Sequence, residues 1–215
     1  MDYLLFLFDF DYTLVDSSRG IVISFNCALQ DMGYPVRMPA EIRKTIGQSL
    51  EAAFYKLSGS RIYNEFLTFK ECFMRYSKLY MVDCAVIFDG VIATFSELKK
   101  RNKKVGIISS KDHFTIERIS ERNNFLKYID IIIGEDDVTN QKPSPDALYY
   151  AASKLNVDST KVLFIGDSVG DAQTALNANI DFLPIISGVT KADEFDPYKK
   201  IGIIYNLHEV SKYMR

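Results

Sequence analysis

The chain has 215 residues, 47% of them apolar and 25% charged, with a formal net charge of −2. That length suits one well-buried domain with room for a smaller second one, and the near-neutral balance argues against a nucleic-acid or anionic-membrane partner. Three cysteines (Cys27, Cys72, Cys84) without CxxC spacing, and only two histidines (His113, His208), argue against a structural zinc site and for reduced thiols.

Along the chain, residues 3–8 form a continuous apolar run, as a parallel strand buried on both faces requires. It has no basic segment before it, is too short for a signal sequence or a membrane span, and is followed directly by acid. A cytoplasmic protein is expected. The same strand pattern returns at residues 105–108, 129–133 and 162–165, and more weakly at 182–186. Helical patterns lie between, at residues 91–101, 115–123, 145–155 and 171–178. Strict alternation of strand and helix predicts an α/β fold with a Rossmann-like parallel sheet and right-handed crossovers. The basic runs Lys99-Lys100-Arg101 and Lys103-Lys104 read as a solvated helix face and the turn after it.

One segment breaks the alternation. Residues 17–83 carry no strand-like run, and instead show amphipathic patterns at 18–32, 39–46, 50–57 and 62–80. Gly33-Tyr34-Pro35 and Ser58-Gly59-Ser60 punctuate them as turns. The predicted organisation is a core of residues 1–16 plus 84–215, with an all-α insertion of residues 17–83 over the crevice. Substrate selection is expected from the insertion, around Ile46-Gly47-Gln48-Ser49.

Four short stretches carry reactive groups: Phe8-Asp9-Phe10-Asp11-Tyr12-Thr13, Ile107-Ile108-Ser109-Ser110-Lys111, Lys142-Pro143-Ser144-Pro145 and Gly166-Asp167-Ser168-Val169-Gly170-Asp171. The first, second and fourth follow apolar strands directly, so a parallel sheet brings them to one crevice at its carboxyl edge. If the chain stays extended, Asp9 and Asp11 point the same way. Together with Asp167 and Asp171 they form a set of repelling carboxylates, which a divalent cation would relieve. Oxygen-only ligands favour Mg²⁺. Asp9 then suits a nucleophile and Asp11 an acid for a leaving oxygen. Ser109 and Ser110 offer hydroxyl and backbone donors for a phosphate, or an ordinary helix cap. Asp171, near a helix start, has the same second reading.

In order and context these motifs resemble the haloacid dehalogenase superfamily of phosphohydrolases from end to end. Within it, the chain is most similar to the phosphoglycolate-phosphatase-type group, and the insertion resembles that family's helical cap. The resemblance implies an aspartyl-phosphate on Asp9, with Asp11 as general acid and then base for water. It implies that Ser109, with Ser110 and Lys142, binds the transferring phosphoryl group of a small phosphorylated metabolite. Mg²⁺ would be held by the Asp9 carboxylate, the Asp11 main-chain carbonyl and Asp167, with Thr13 and Asp171 in support. A monomer is expected, with a dimer as the alternative. Two departures stand out: Tyr12 replaces the usual glycine, and Ser-Ser-Lys replaces Thr-Asn-Lys.

Three other readings are open to such a chain. A sugar phosphomutase, similar to β-phosphoglucomutase, would carry a histidine early in its first cap helix, where this chain has Ile21. A receiver-like, non-catalytic signalling domain would place its acceptor Asp on a later strand. A phosphonate hydrolase would need a Schiff-base lysine in the insertion, where Lys44 and Lys56 are candidates.

Overall fold

The strand β1 (Leu5–Phe8) has no exposed surface at any of its four residues. The computed structural model describes residues 2–214. After β1 come β2 (Val15–Asp16), α1 (Ser18–Asp31), α2 (Pro39–Arg43), α3 (Leu50–Ser58) and α4 (Tyr63–Cys84). Then come β3 (Val86–Ile87), α5 (Val91–Lys100), β4 (Lys104–Ile108), α6 (His113–Arg122) and β5 (Ile131–Ile133). The chain continues with α7 (Asp146–Lys154), β6 (Val162–Gly166), α8 (Val169–Ala178) and β7 (Asp181–Pro184). Among the described residues, no helix is long and apolar enough to cross a membrane.

Five strands form one sheet in the order β5-β4-β1-β6-β7, and every neighbouring pair is parallel. Phe8 lies level with Ile107 of β4 on one side and Ile165 of β6 on the other. The strand order therefore reverses at β1, between β4 and β6, and a ligand crevice forms beyond the carboxyl ends of strands at such a switch point.

Side chains alternate across a strand, so β1 serves both faces. Phe8 packs on Phe95 of α5 with ring centroids 5.0 Å apart, and Phe95 in turn meets Phe125 edge-on. Leu5 and Leu7 join the opposite cluster with Leu148 of α7, Phe164, Ala172 of α8, Phe182 and Phe195. Burial of each large side chain contributes on the order of 1.5–3 kcal/mol. This clamp fixes the strand end from which the first motif leaves.

Several boundaries move from their predicted places for local reasons. β5 begins at Ile131 because Leu126–Tyr128 tighten into a 3-10 turn. β7 occupies Asp181–Pro184, and α6 starts at His113 because Asp112 is its N-cap, accepting from the Thr115 N–H at 2.9 Å. Lys103 is not the solvated residue expected: it is 8% exposed and donates to Asp2 Oδ1 at 2.7 Å.

The chain divides into two compact units, one made of the chain up to Val15 and from Ile87 onward, the other of Asp16–Val86. The second unit is built on α1 against α4 around an aromatic centre. Phe25 and Phe54 each lie 4.7 Å from Phe69 between ring centroids, and Phe73 extends the group. Gly47 lies between α2 and α3 with φ of 93°, in the left-handed region where glycine is free of strain.

Candidate active site

The backbone sets the first motif before any side chain acts. The Asp9 N–H continues the β1 ladder by donating to the Ile165 carbonyl at 2.8 Å. Extension then ends. The Phe10 carbonyl accepts from the N–H groups of Thr13, Leu14 and Val15, and Tyr12 takes a left-handed φ of 61°. Asp9 and Asp11 consequently do not act as an extended pair. The Asp11 carboxylate is engaged by the Lys111 ammonium at 3.0 Å. Asp9 is turned to a different group of residues.

That group is Asp9, Asp167 and Asp171, all buried, with one carboxylate oxygen from each within 4.8 Å of the others. Asp171, expected only in support, thus stands among the three, and the Asp11 carboxylate does not. Asp9 comes from the end of β1, Asp167 from the end of β6, and Asp171 from the first turn of α8. The capping reading of Asp171 is also true. Its Oδ2 accepts from the Ser168 N–H at 3.1 Å and the Ser168 hydroxyl at 2.5 Å, while Ser168 Oγ accepts from the Asp171 N–H at 3.1 Å. Gly166 makes room for this carboxylate: a Cβ there would lie 2.7 Å from Asp171 Oδ2.

Lys142 joins the acids. Its ammonium donates to Asp9 Oδ1 and to Asp171 Oδ1, each at 2.6 Å, and its side chain is only 6% exposed. The Thr13 hydroxyl, fully buried, lies 3.4 Å from Asp9 Oδ2 and 3.3 Å from Asp167 Oδ1. Ser109 is buried, its N–H donates to the Ile133 carbonyl at 3.0 Å, and its Oγ accepts from the Lys111 N–H at 3.2 Å. Neither Ser109 nor the half-buried Ser110 caps α6, since Asp112 does.

Three buried carboxylates against one ammonium is an unbalanced site. Two unit charges at such separations repel by about 3–4 kcal/mol at an effective dielectric of roughly 20. Burial pushes the Asp9 carboxyl up to about 7, the Asp171 charge adds to this, and Lys142 opposes both. Asp167 is held well above the usual carboxylate range by burial first and by Asp9 and Asp171 next. Burial works against the Lys142 ammonium, but Asp171 and Asp9 outweigh it and raise the lysine above its ordinary value. The donor set fits a hard divalent cation: it is all oxygen, buried and in excess of local positive charge.

Lys111 is the site residue to which sequence reasoning gave no role. It is buried, but a lysine after two serines at a strand end carries no sign of that. The basic partner of Asp11 had no signal apart from its place in the motif.

A family model of haloacid dehalogenase-like hydrolases matches residues 6–185. A relative from Dickeya dadantii named "Probable phosphatase IndB" is 28% identical over 96% of this chain and 91% of its own length. The pyrophosphatase PpaX of Listeria innocua is 30% identical over 80% of this chain and 78% of its own. A solved haloacid dehalogenase-like hydrolase structure from Bacteroides fragilis superposes with a TM-score of 0.94 at 38% identity, covering 97% of this chain and all of the other. With the four motifs gathered at the switch point of the sheet and the match running through all of them, the chain belongs to the haloacid dehalogenase-like hydrolases, as a phosphatase.

Proposed function

We propose that this phosphatase is a Mg²⁺-dependent hydrolase of small phosphomonoesters, phosphoglycolate- or sugar-phosphate-like, acting through an aspartyl-phosphate on Asp9. The observation that carries this reading is the buried Asp9 carboxylate, held by Lys142 at 2.6 Å within a cluster of two further acids. In the first step an Asp9 oxygen attacks phosphorus, the bond to the leaving oxygen breaks, and Asp11 supplies that oxygen with a proton. In the second step water attacks the same phosphorus, Asp11 takes the water proton, and the bond to Asp9 breaks to release phosphate. Lys142, together with Ser109 and Ser110, binds the transferring phosphoryl oxygens, whose charge dominates a loose transition state.

Asp9, Asp167 and Asp171 are the side chains that would hold Mg²⁺, with the Asp11 main-chain carbonyl as a further donor. When bound, the ion supplies positive charge beside the nucleophile and the phosphoryl oxygens. Thr13 orients the Asp9 and Asp167 carboxylates through its hydroxyl, and Lys142 orients Asp9.

The test is release of inorganic phosphate by purified protein from a panel that includes 2-phosphoglycolate and hexose phosphates. Because PpaX is named for pyrophosphate, pyrophosphate belongs in the panel. Turnover of at least one monoester is expected with Mg²⁺, with loss in excess EDTA and recovery on adding Mg²⁺ back. Full turnover in EDTA would overturn the metal dependence, and pyrophosphate as the only substrate would overturn the monoester assignment.

A further inference from the structure

The segment after β7 belongs to none of the four motifs, yet it touches two of them. Its start is fixed: the Ile185 N–H donates to the Gly166 carbonyl at 3.0 Å and the Ile186 N–H to the Ile204 carbonyl at 2.9 Å. Ile185 and Ile204 are both buried. Ser187 and Gly188 come directly after, so they leave a point as well anchored as the sheet edge.

The Ser187 hydroxyl donates to the main-chain carbonyl of Tyr12. Tyr12 stands between Asp11 and Thr13 with its φ at 61°, a conformation that costs a bulky side chain on the order of 1 kcal/mol and persists only where the surroundings impose it. Its N–H is held by the Val15 carbonyl at 2.7 Å, and its own carbonyl by Ser187. Both peptide groups flanking the strained residue are therefore held in place, one of them from the loop after β7. On the far side of Tyr12 the Thr13 hydroxyl lies between Asp9 and Asp167. On the near side the Asp11 carboxylate meets Lys111.

Gly188 meets the other half of the site. A Cβ placed on it would lie 1.8 Å from Asp167 Oδ2, 2.9 Å from Asp167 Cγ and 3.1 Å from the Tyr12 Cβ. No side chain fits there unless the Asp167 carboxylate moves, and that carboxylate is one of the three acids of the site. The glycine serves here by its missing Cβ rather than by an unusual backbone angle.

We propose that Ser187 and Gly188 form a positioning element for the phosphatase chemistry: Ser187 holds the Asp11-Tyr12-Thr13 turn through the Tyr12 carbonyl, and Gly188 supplies the space that sets the Asp167 carboxylate. The inference rests on the phosphatase reading of this site and extends it to a segment outside the motifs. Neither residue touches the reacting atoms. Each acts through another, Ser187 through Tyr12 and Gly188 through Asp167.

The experiment uses the full chain with S187A, S187T and G188A. It measures kcat and KM on p-nitrophenyl phosphate, melting temperature in EDTA, and the rise in melting temperature on adding Mg²⁺. For S187A, kcat falls by about tenfold to a hundredfold, as a small misplacement of reacting groups does, while KM and the melting temperature in EDTA stay near wild type. S187T, which keeps the hydroxyl, regains most of kcat. For G188A, the Mg²⁺-induced rise is lost. Wild-type kcat in S187A, S187T as slow as S187A, or a wild-type Mg²⁺ rise in G188A would each overturn the proposal. If G188A does not fold, the S187A and S187T pair decides alone. If wild-type protein hydrolyses no phosphomonoester, the phosphatase reading fails, and the Mg²⁺ arm of G188A still tests the placement of Asp167.

Discussion

Lys111 and Asp11 meet at 3.0 Å with side chains 7% and 15% exposed, so the carboxylate assigned to proton transfer carries its own cation. The contact fixes where Asp11 points and leaves the Asp9 cluster to Lys142. Lys111→Met is therefore expected to lower kcat by about one to two orders of magnitude, part of the range general acid catalysis supplies. Lys111→Arg should recover part of it. The double variant with Asp11→Asn should be scarcely slower than Asp11→Asn alone, because residues acting as one unit are not additive. Steady-state kinetics on wild type and the four variants checks this, and multiplicative losses would show that Lys111 does not act through Asp11.

Asp9→Asn removes the nucleophile and keeps its shape. Turnover should fall by several orders of magnitude, since an amide cannot form the acyl-phosphate bond. The variant should still fold, because it deletes one of three repelling buried acids. Kinetics and circular dichroism together check the pair of outcomes; a variant retaining a tenth of the wild-type rate would exclude the covalent route.

The raised Asp9 carboxyl also makes metal-free stability depend on pH. Its folded-state value is about 7, against an ordinary 3.8. Between these values the folded protein binds more protons than the unfolded chain, so stability is full below about pH 4 and is lost as pH rises through about 7. Lys142 is raised from an already high value and contributes no slope in this window. Asp167, also held well above the usual carboxylate range, adds slope of the same sign. In EDTA the melting temperature should fall by several degrees from about pH 5 to pH 8, and Asp9→Asn should lessen the slope without abolishing it. Added Mg²⁺ should recover more stability at the higher pH, where no proton neutralises the cluster. Thermal melts at the two pH values, with and without Mg²⁺, check this.

Lys142→Met strands Asp9 and Asp171 without the ammonium that both share. Breaking a buried pair in this way destabilises by about 3–5 kcal/mol. That corresponds to a fall of roughly ten degrees in melting temperature for a chain of this size. A chemical denaturation series checks it. Adding Asp9→Asn to Lys142→Met should return part of the loss, since one of the stranded charges is then gone.

What the sequence reveals depends on how much signal each element carries. β1 was plain because burial on both faces leaves an unbroken apolar run, and α4 because a long helix repeats its period many times. β2 and β3 were not, since two residues cannot display a period of two. The residues gathered at the site were legible as motifs, but the pairing of Asp11 with Lys111 was not. The left-handed turn at Tyr12 separates Asp11 from Asp9, and no propensity predicts that conformation for a tyrosine. Asp171 read as part of the acidic group or as a cap, and it is both, because α8 begins beside the crevice. Ser187 and Gly188 were invisible: a serine and a glycine after a strand look like any turn.

The order of strands in the sheet also has a kinetic side. β1 finds its neighbours only in β4 and β6, where Leu5 pairs with Lys104 and with Val162. During synthesis this wholly apolar strand emerges long before either partner exists, with the helices of the Asp16–Val86 unit made in between. Contacts so distant along the chain carry a large loop-closure entropy and slow folding. The waiting strand is meanwhile a strand edge open to wrong pairing. Ribosome-bound chains ending before β6 should therefore engage chaperones that chains ending after β7 release.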